Sequence, residues 1–386
     1  MKRVRNKKPD DFSPSHNSFR PEVRGTCADS RFSVIPNDRI KHAGTFCWFF
    51  NFFFSNNPVT FRKFIAVKSL LFLLFSCCFL TGFSQTKIDA LHYRYEIELN
   101  DSNDTINGKA TVTLRLLEPG NAVHIDLIPV NTNGKGMNSG FVEGNAVSGY
   151  SRSGKKLLIS LNKTYPAGDT IRFTVGYSGI PADGLIISKN KYGKRTFFSD
   201  NWPNRAHHWL PCVDDPADKD PVDFIITAPA HYQVVSNGIQ VEESNLPGNK
   251  KLSHWKEDVP LPTKVMVIGV AEFAVQHTGT INDCIPVSTW VFPENKKEGF
   301  YDFVIARDIL AWHENYIGTY AYKKLANVQA KTMFGGMENA GAIFYFEDAV
   351  NGKREHENLQ SHEIVHQWFG NHTKEKSFAH LWLSEG

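Results

Sequence analysis

From residue 86 to about 276 the chain alternates apolar and polar residues with period two, and that pattern limits the fold more than any other feature. LHYRYEIEL (91–99), KATVTLRLL (109–117), AVHIDLI (122–128), KLLISL (156–161), IRFTVGYSGI (171–180) and FIITAP (224–229) each present one apolar face, as half-buried strands do. Turn signals separate them at Asn107-Gly108, Pro119-Gly120, Asn133-Gly134, Asn237-Gly238 and Pro247-Gly248. No long amphipathic helix and no fixed-period repeat interrupts the pattern. The expectation is an antiparallel all-β domain of the sandwich or curved-sheet kind. Charged residues at 22% and hydrophobic residues at 41% exclude a disordered or collagen-like chain.

The first 84 residues differ in kind. They hold 13 Lys and Arg against 5 Asp and Glu, and 15 of the 29 Phe. The remainder carries 30 basic and 35 acidic residues, which gives no support to nucleic-acid binding. Residues 61–84 combine a basic start (Arg62, Lys63, Lys68), an apolar run from Ser69 to Leu80, and a small-residue cleavage pattern at Gly82-Phe83-Ser84. That is the form of a secretory signal peptide, with an apolar stretch too short for a comfortable membrane span. A buried core helix is the alternative. Residues 1–60 have no periodicity and are expected to be disordered or an over-extended translation with the true start near Val59. The expected destination is outside the cell or the periplasm, with no stable span once the leader is cleaved. Cleavage before Gln85 leaves Cys212 and Cys284, and whether they pair stays open.

After residue 285 the period changes. Residues 297–316 place Phe300, Phe303, Val304, Ala306, Ile309, Leu310 and His313 near one helical face. Two short strands are expected in 324–346 around a glycine pair. A second helix is expected over 355–369, stopped by Gly370. It contains His362-Glu363-Ile364-Val365-His366, whose two His lie one turn apart on one face and can share a Zn²⁺. A third ligand is needed, and Glu385, 19 positions beyond His366, suits the role. Glu363 is offset from the ligands, as a general base for water attack on a carbonyl must be. The plainer alternative is a solvated amphipathic helix with two surface His.

Residues Gly335-Gly336-Met337-Glu338-Asn339 stand between strand-like segments. Two glycines on a strand mark a place where another backbone approaches closely. A substrate peptide can pair with such an edge through main-chain bonds. A free α-amine is mostly protonated at neutral pH, so Glu338 beside the edge can hold it. The expected enzyme is therefore an exopeptidase. A hairpin turn with a surface Glu is the alternative.

GGMEN, then HEIVHQWFGN, then 13 residues and Glu385 resemble the M1 zinc aminopeptidases, which include leukotriene hydrolase. The likeness extends upstream through Arg205, Leu210-Pro211-Cys212, Asp214-Asp215-Pro216 and Val235-Ser236-Asn237-Gly238, and spans about residue 88 to the end. It implies zinc ligands at His362, His366 and Glu385, a general base at Glu363, and amine binding at Glu338 with Gly335, Gly336 and Met337. It implies a saddle-shaped all-β N-terminal domain over 86–276. A truncated thermolysin-like α/β catalytic domain follows over 277–386. One Zn²⁺ per chain and peptides with a free N-terminus are the implied cofactor and substrates.

Four departures accompany the likeness. The family's oxyanion-stabilising Tyr follows the last ligand by tens of residues and is expected beyond Gly386, where the sequence stops. The rest of the catalytic domain is expected there too. The first specificity pocket corresponds to Ser199-Asp200-Asn201-Trp202, from which no pocket residue is carried over. Ser384 stands where the family usually has Asn. The sequence reading is a secreted zinc aminopeptidase lacking its C-terminal part. Two alternatives are a catalytically inactive binding or scaffold protein, and an epoxide-type hydrolase suggested by Gly336, where many aminopeptidases have Ala.

Overall fold

The computed structural model describes residues 88–385. The expected leader at 61–84 and the segment 1–60 lie outside the described residues. The strand-rich part comprises β1 (Ile88–Glu98), β2 (Ile106–Leu116), β3 (Gly120–Asp126), β4 (Gly136–Glu143), β5 (Val147–Ser153), β6 (Lys156–Tyr165) and β7 (Thr170–Ile180). It continues through β8 (Leu185–Lys189), β9 (Arg195–Ser199), β10 (Asp220–Pro229), β11 (Gln233–Ser236), β12 (Ile239–Leu246), β13 (Lys250–Leu261) and β14 (Ile268–Ala271). They form a seven-stranded sheet (β12-β13-β10-β1-β2-β7-β4), a three-stranded sheet (β3-β6-β5) and a four-stranded sheet (β11-β14-β9-β8).

All six strands read from the alternation are present. In β2 the inward set is Ile106, Ala110, Val112, Leu114 and Leu116, each nearly fully buried. In β1 the inward set starts on Ile88 and Ala90 and resumes on Tyr93, Tyr95 and Ile97. A bulge between Ala90 and His92 inserts the extra residue that changes the phase. Tyr93 and Tyr95 stack at 5.6 Å between ring centres. Their hydroxyls find backbone partners: Val213 N–H donates to Tyr93 at 2.9 Å, and Tyr95 donates to the Pro211 carbonyl at 3.1 Å.

Two expectations need correction. The domain is all-β but not wholly antiparallel, because β1 runs parallel to β10 from Tyr93↔Val222 to Glu98↔Thr227. Asn107-Gly108 is not a turn; it lies inside β2, where a β-carbon on residue 108 would come within 2.3 Å of the Tyr177 ring. The glycine is there because a neighbouring side chain crosses it. No disulfide joins Cys212 to Cys284, and Cys212 is a buried thiol.

A five-stranded sheet, β15-β16-β17-β19-β18, carries the rest. It consists of β15 (Ala274–Ile281), β16 (Ile285–Val291), β17 (Leu325–Ala330), β18 (Gly336–Met337) and β19 (Ala342–Phe346). The expected division at 276/277 falls within β15. Between β16 and β17 the expected single helix is two, α1 (Lys296–Phe303) and α2 (Ala306–Ile317), broken at Val304-Ile305. The break turns Val304 outward, 37% exposed, while Phe303, Ala306, Leu310 and His313 remain buried. The buried Asp302 carboxylate accepts from the backbone N–H of Asn351, Gly352 and Arg354 at 2.8, 2.8 and 3.0 Å. It thereby holds the loop that leads into α3 (Glu357–Val365). A short α4 (Trp382–Glu385) ends the described chain. Among the described residues no helix is long and apolar enough to cross a membrane.

The five-stranded and four-stranded sheets meet in one aromatic cluster. Phe198 of β9 packs edge-on against Phe344 of β19 at 5.3 Å, Phe273 at 6.1 Å and Phe292 at 6.4 Å. Phe198→Ala removes the central ring from a close-packed site. It is expected to cost about 3–5 kcal/mol in urea unfolding. A loss below about 1 kcal/mol would mean that the two sheets are held together elsewhere.

Candidate metal and peptide site

Helix α3 carries the first two candidate ligands, and its geometry follows from its end. The regular helix stops at Val365, and His366 keeps helical dihedrals at the C-cap. Gly370 then adopts φ 113°, a backbone state that strains other residues, and turns the chain away. In the resulting turn the His366 Nδ1–H donates to the Phe369 carbonyl at 3.0 Å. A carbonyl can only accept, so the Nε2 lone pair of His366 is left facing the cleft.

His362 Nε2 lies 3.1 Å from His366 Nε2. Glu385 Oε2 lies 3.9 Å from the first and 3.7 Å from the second. Among the described residues these three form the group able to hold a metal, with ligand atoms all within 4.8 Å of one another. Ligand atoms at ~2.0–2.1 Å from a tetrahedral zinc stand roughly 3.3 Å apart, so the donor set and spacing fit the ion. His366 is buried, whereas His362 and Glu385 are about half exposed, which leaves an open side. Burial and the neighbouring His366 hold the His362 pKa below its ordinary value. The neutral imidazole is the ligating form.

β18 is the edge of the five-stranded sheet, hydrogen-bonded to β19 alone. Its other side faces a cleft of about 380 Å³ lined by Gly335, Gly336, Met337, Glu338, His362, Glu363, His366 and Glu385, with walls from Trp202, Phe334 and Leu359. Met337 also belongs to the aromatic cluster under the sheet. A β-carbon on residue 336 would lie 2.1 Å from Glu363 Oε1, so the glycine is what lets the Glu363 carboxylate lie against the strand. Burial, then the charges of Glu338 and Glu385, push the Glu363 pKa up to about 9. A cation on the three-ligand cluster acts in the opposite direction and favours the ionised base.

Glu338 is 5% exposed, and its Oε1 has no hydrogen-bond partner. Burial raises its pKa, with His366 and Lys264 pulling the other way. A buried carboxylate oxygen without a partner favours either protonation of the acid or the approach of a cation.

Several residues of the site gave little sign in the sequence. The Gln367 amide donates to the Glu338 carbonyl at 2.8 Å and accepts from the Gly341 N–H at 2.9 Å. Asn371 donates to the same Glu338 carbonyl at 2.7 Å. Both are buried amides within HEIVHQWFGN, and their burial is the signal that composition and period could not supply. In the stretch Ser199-Asp200-Asn201-Trp202 only Trp202 lines the cleft, edge-on to Phe334 at 5.8 Å. Asp200 is paired with Arg205, and Asn201 accepts from the Trp209 indole at 2.8 Å.

Comparison with known proteins bears on the fold and the family. Residues 89–265 match the Peptidase M1 N-terminal domain, and residues 301–386 match the Peptidase family M1 domain. Glutamyl aminopeptidase of Bos taurus is 29% identical over 199 residues, 49% of this chain and 21% of that protein. Aminopeptidase 2 of Candida albicans is 23% identical over 320 residues, 78% of this chain and 34% of that one. The chain thus spans between a fifth and about a third of the length of these relatives. An M1 zinc metallopeptidase from Deinococcus radiodurans superposes with TM-score 0.65 at 20% identity, over 78% of this chain and 69% of its own. A two-domain M1 zinc metallopeptidase solved with L-arginine gives TM-score 0.66 at 19% identity, with the same coverage. These structures share the fold: a mostly β domain followed by a metallopeptidase domain. On the strength of both domain matches, this chain belongs to peptidase family M1.

Proposed function

We propose that this chain forms the N-terminal and metal-binding part of a zinc aminopeptidase, which removes the first residue from peptides with a free N-terminus. The carrying observation is the buried Glu338, whose Oε1 has no hydrogen-bond partner, placed directly after an edge strand and sharing one cleft with His362, His366, Glu385 and Glu363. His362, His366 and Glu385 would hold one zinc. When bound, the metal supplies a Lewis acid that polarises the scissile carbonyl and makes water a better nucleophile at neutral pH.

The chain's own groups do the rest. The exposed edge of β18 accepts the substrate backbone as an added strand. Glu338 takes the ammonium group and so fixes how far the substrate enters. Glu363, free to lie against Gly336, accepts a proton from the attacking water and delivers it to the departing amine. Trp202 and Phe334 form one apolar wall of the cleft. The family match and the aminopeptidase relatives support this reading. The leader-like segment 61–84 supports export from the cytoplasm as the setting.

Two substitutions test the roles in the protein as its host makes it. Glu363→Gln keeps the size of the side chain but cannot accept the proton. It is expected to retain zinc and to lower kcat by at least ~10²; a near-normal rate would exclude Glu363 as the base. Glu338→Ala is expected to raise KM for free-amine peptides far more than for N-acetylated ones. Equal effects on both would remove Glu338 from amine recognition.

A further inference from the structure

The third candidate ligand is the least secured of the three by its own element. Glu385 is 43% exposed and sits on α4, which is four residues long. One turn of helix does not hold itself in water. Something else must fix it, and the structure contains a buried chain of contacts that ends one residue away.

Lys264 Nζ donates to Glu375 Oε1 at 2.7 Å, with the two side chains 1% and 0% exposed. The other carboxylate oxygen of Glu375 accepts from the Ser384 hydroxyl at 2.9 Å. Ser384 is itself 7% exposed and directly precedes Glu385. On its far side Ser384 meets Gly370: a β-carbon there would lie 3.4 Å from both Ser384 Cβ and His366 Nδ1. Ser384 is therefore held between an ion pair and the turn that orients His366.

Lys264 comes from the turn Thr263–Val265 in the β-rich part, and that turn is pinned to the segment that joins β18 to β19. Asn237 Nδ2 bridges the carbonyls of Val265 and Ala340 at 3.0 and 2.8 Å, and the Ala340 N–H donates to the Val265 carbonyl at 3.3 Å. Ala340 lies two residues beyond Glu338. One rigid turn thus serves as the reference for both Glu338 and Glu385.

We propose that Lys264 and Glu375, acting through Ser384, are positioning residues that set Glu385 as a metal ligand, so that the β-rich part controls metal affinity. The inference rests on the metal reading above. A buried ion pair seldom adds net stability over apolar groups of similar volume, so a purely structural tether has no need of these charges. A directed acceptor for the Ser384 hydroxyl does need the carboxylate.

The test is zinc affinity by chelator competition, with the absorption spectrum of the Co²⁺-loaded protein and the thermal midpoint of the metal-free protein measured beside it. Ser384→Ala and Glu375→Ala are expected to weaken zinc by ~10-fold, the low end of what removing a direct partner of a ligand costs, because both act on Glu385 through its neighbour. Both should also alter the Co²⁺ spectrum. The double variant Lys264→Met with Glu375→Met removes both charges together. It should fold with an apo midpoint near wild type and still bind zinc more weakly, because Ser384 has lost its acceptor. Should the double variant not fold, Ser384→Ala decides alone. Affinities within twofold of wild type in Ser384→Ala would overturn the proposal and leave the pair as a tether. His366→Ala is the control for the underlying reading. If it too leaves zinc affinity unchanged, the metal assignment itself is wrong; if it alone abolishes binding, only the positioning role fails.

Discussion

The site depends first on how helix α3 is fastened to the edge strand β18. The helix and its C-cap supply His362, Glu363 and His366, and the strand supplies the free edge with Glu338 directly after it. Neither is useful unless they face each other at a fixed distance. Two buried amides set it: Gln367 grips both the Glu338 carbonyl and the Gly341 N–H, and Asn371 donates to the same carbonyl. Each such bond contributes only about 1 kcal/mol net, but leaving a buried partner unmade costs ~1–3 kcal/mol. The fastening is therefore stiff against small displacements, which is what a catalytic geometry requires.

The same cleft concentrates negative charge. Glu338, Glu363 and Glu385 surround two imidazoles, and burial raises the pKa of Glu338 and Glu363. Three carboxylates in one cleft stay ionised together only if cations join them; otherwise protonation relieves the repulsion. In the proposed chemistry a divalent ion at one end and a substrate ammonium at the other would supply that charge from outside the chain. The electrostatics and the proposed chemistry thus ask for the same two ligands.

Much of the β-rich part was legible because its strands bury one face, so that alternation in β2 and β7 survives unbroken in the sequence. Legibility failed where tertiary contacts override the local pattern. Asn107-Gly108 reads as a turn, yet Tyr177 packing over Gly108 keeps it in a strand. The parallel pairing of β1 with β10 leaves no mark in either segment. The break between α1 and α2 was hidden because Phe303 and Ala306 keep the apolar period while Val304 turns outward. At the site, His362 and His366 announce themselves by a spacing that one helix enforces. Lys264, Glu375, Gln367 and Asn371 do not, because what marks them is burial, and burial is decided by residues about 30 to 110 positions away.

The central claim is that His362, His366 and Glu385 hold one zinc with a position left open. X-ray absorption at the zinc edge of the protein purified from its host tests it most directly. The account predicts a first shell of nitrogen and oxygen only, at ~2.0–2.1 Å, with the imidazole signature of two His. Zinc–sulfur scattering at ~2.3 Å, or a shell without imidazole, would place the metal elsewhere and contradict the account.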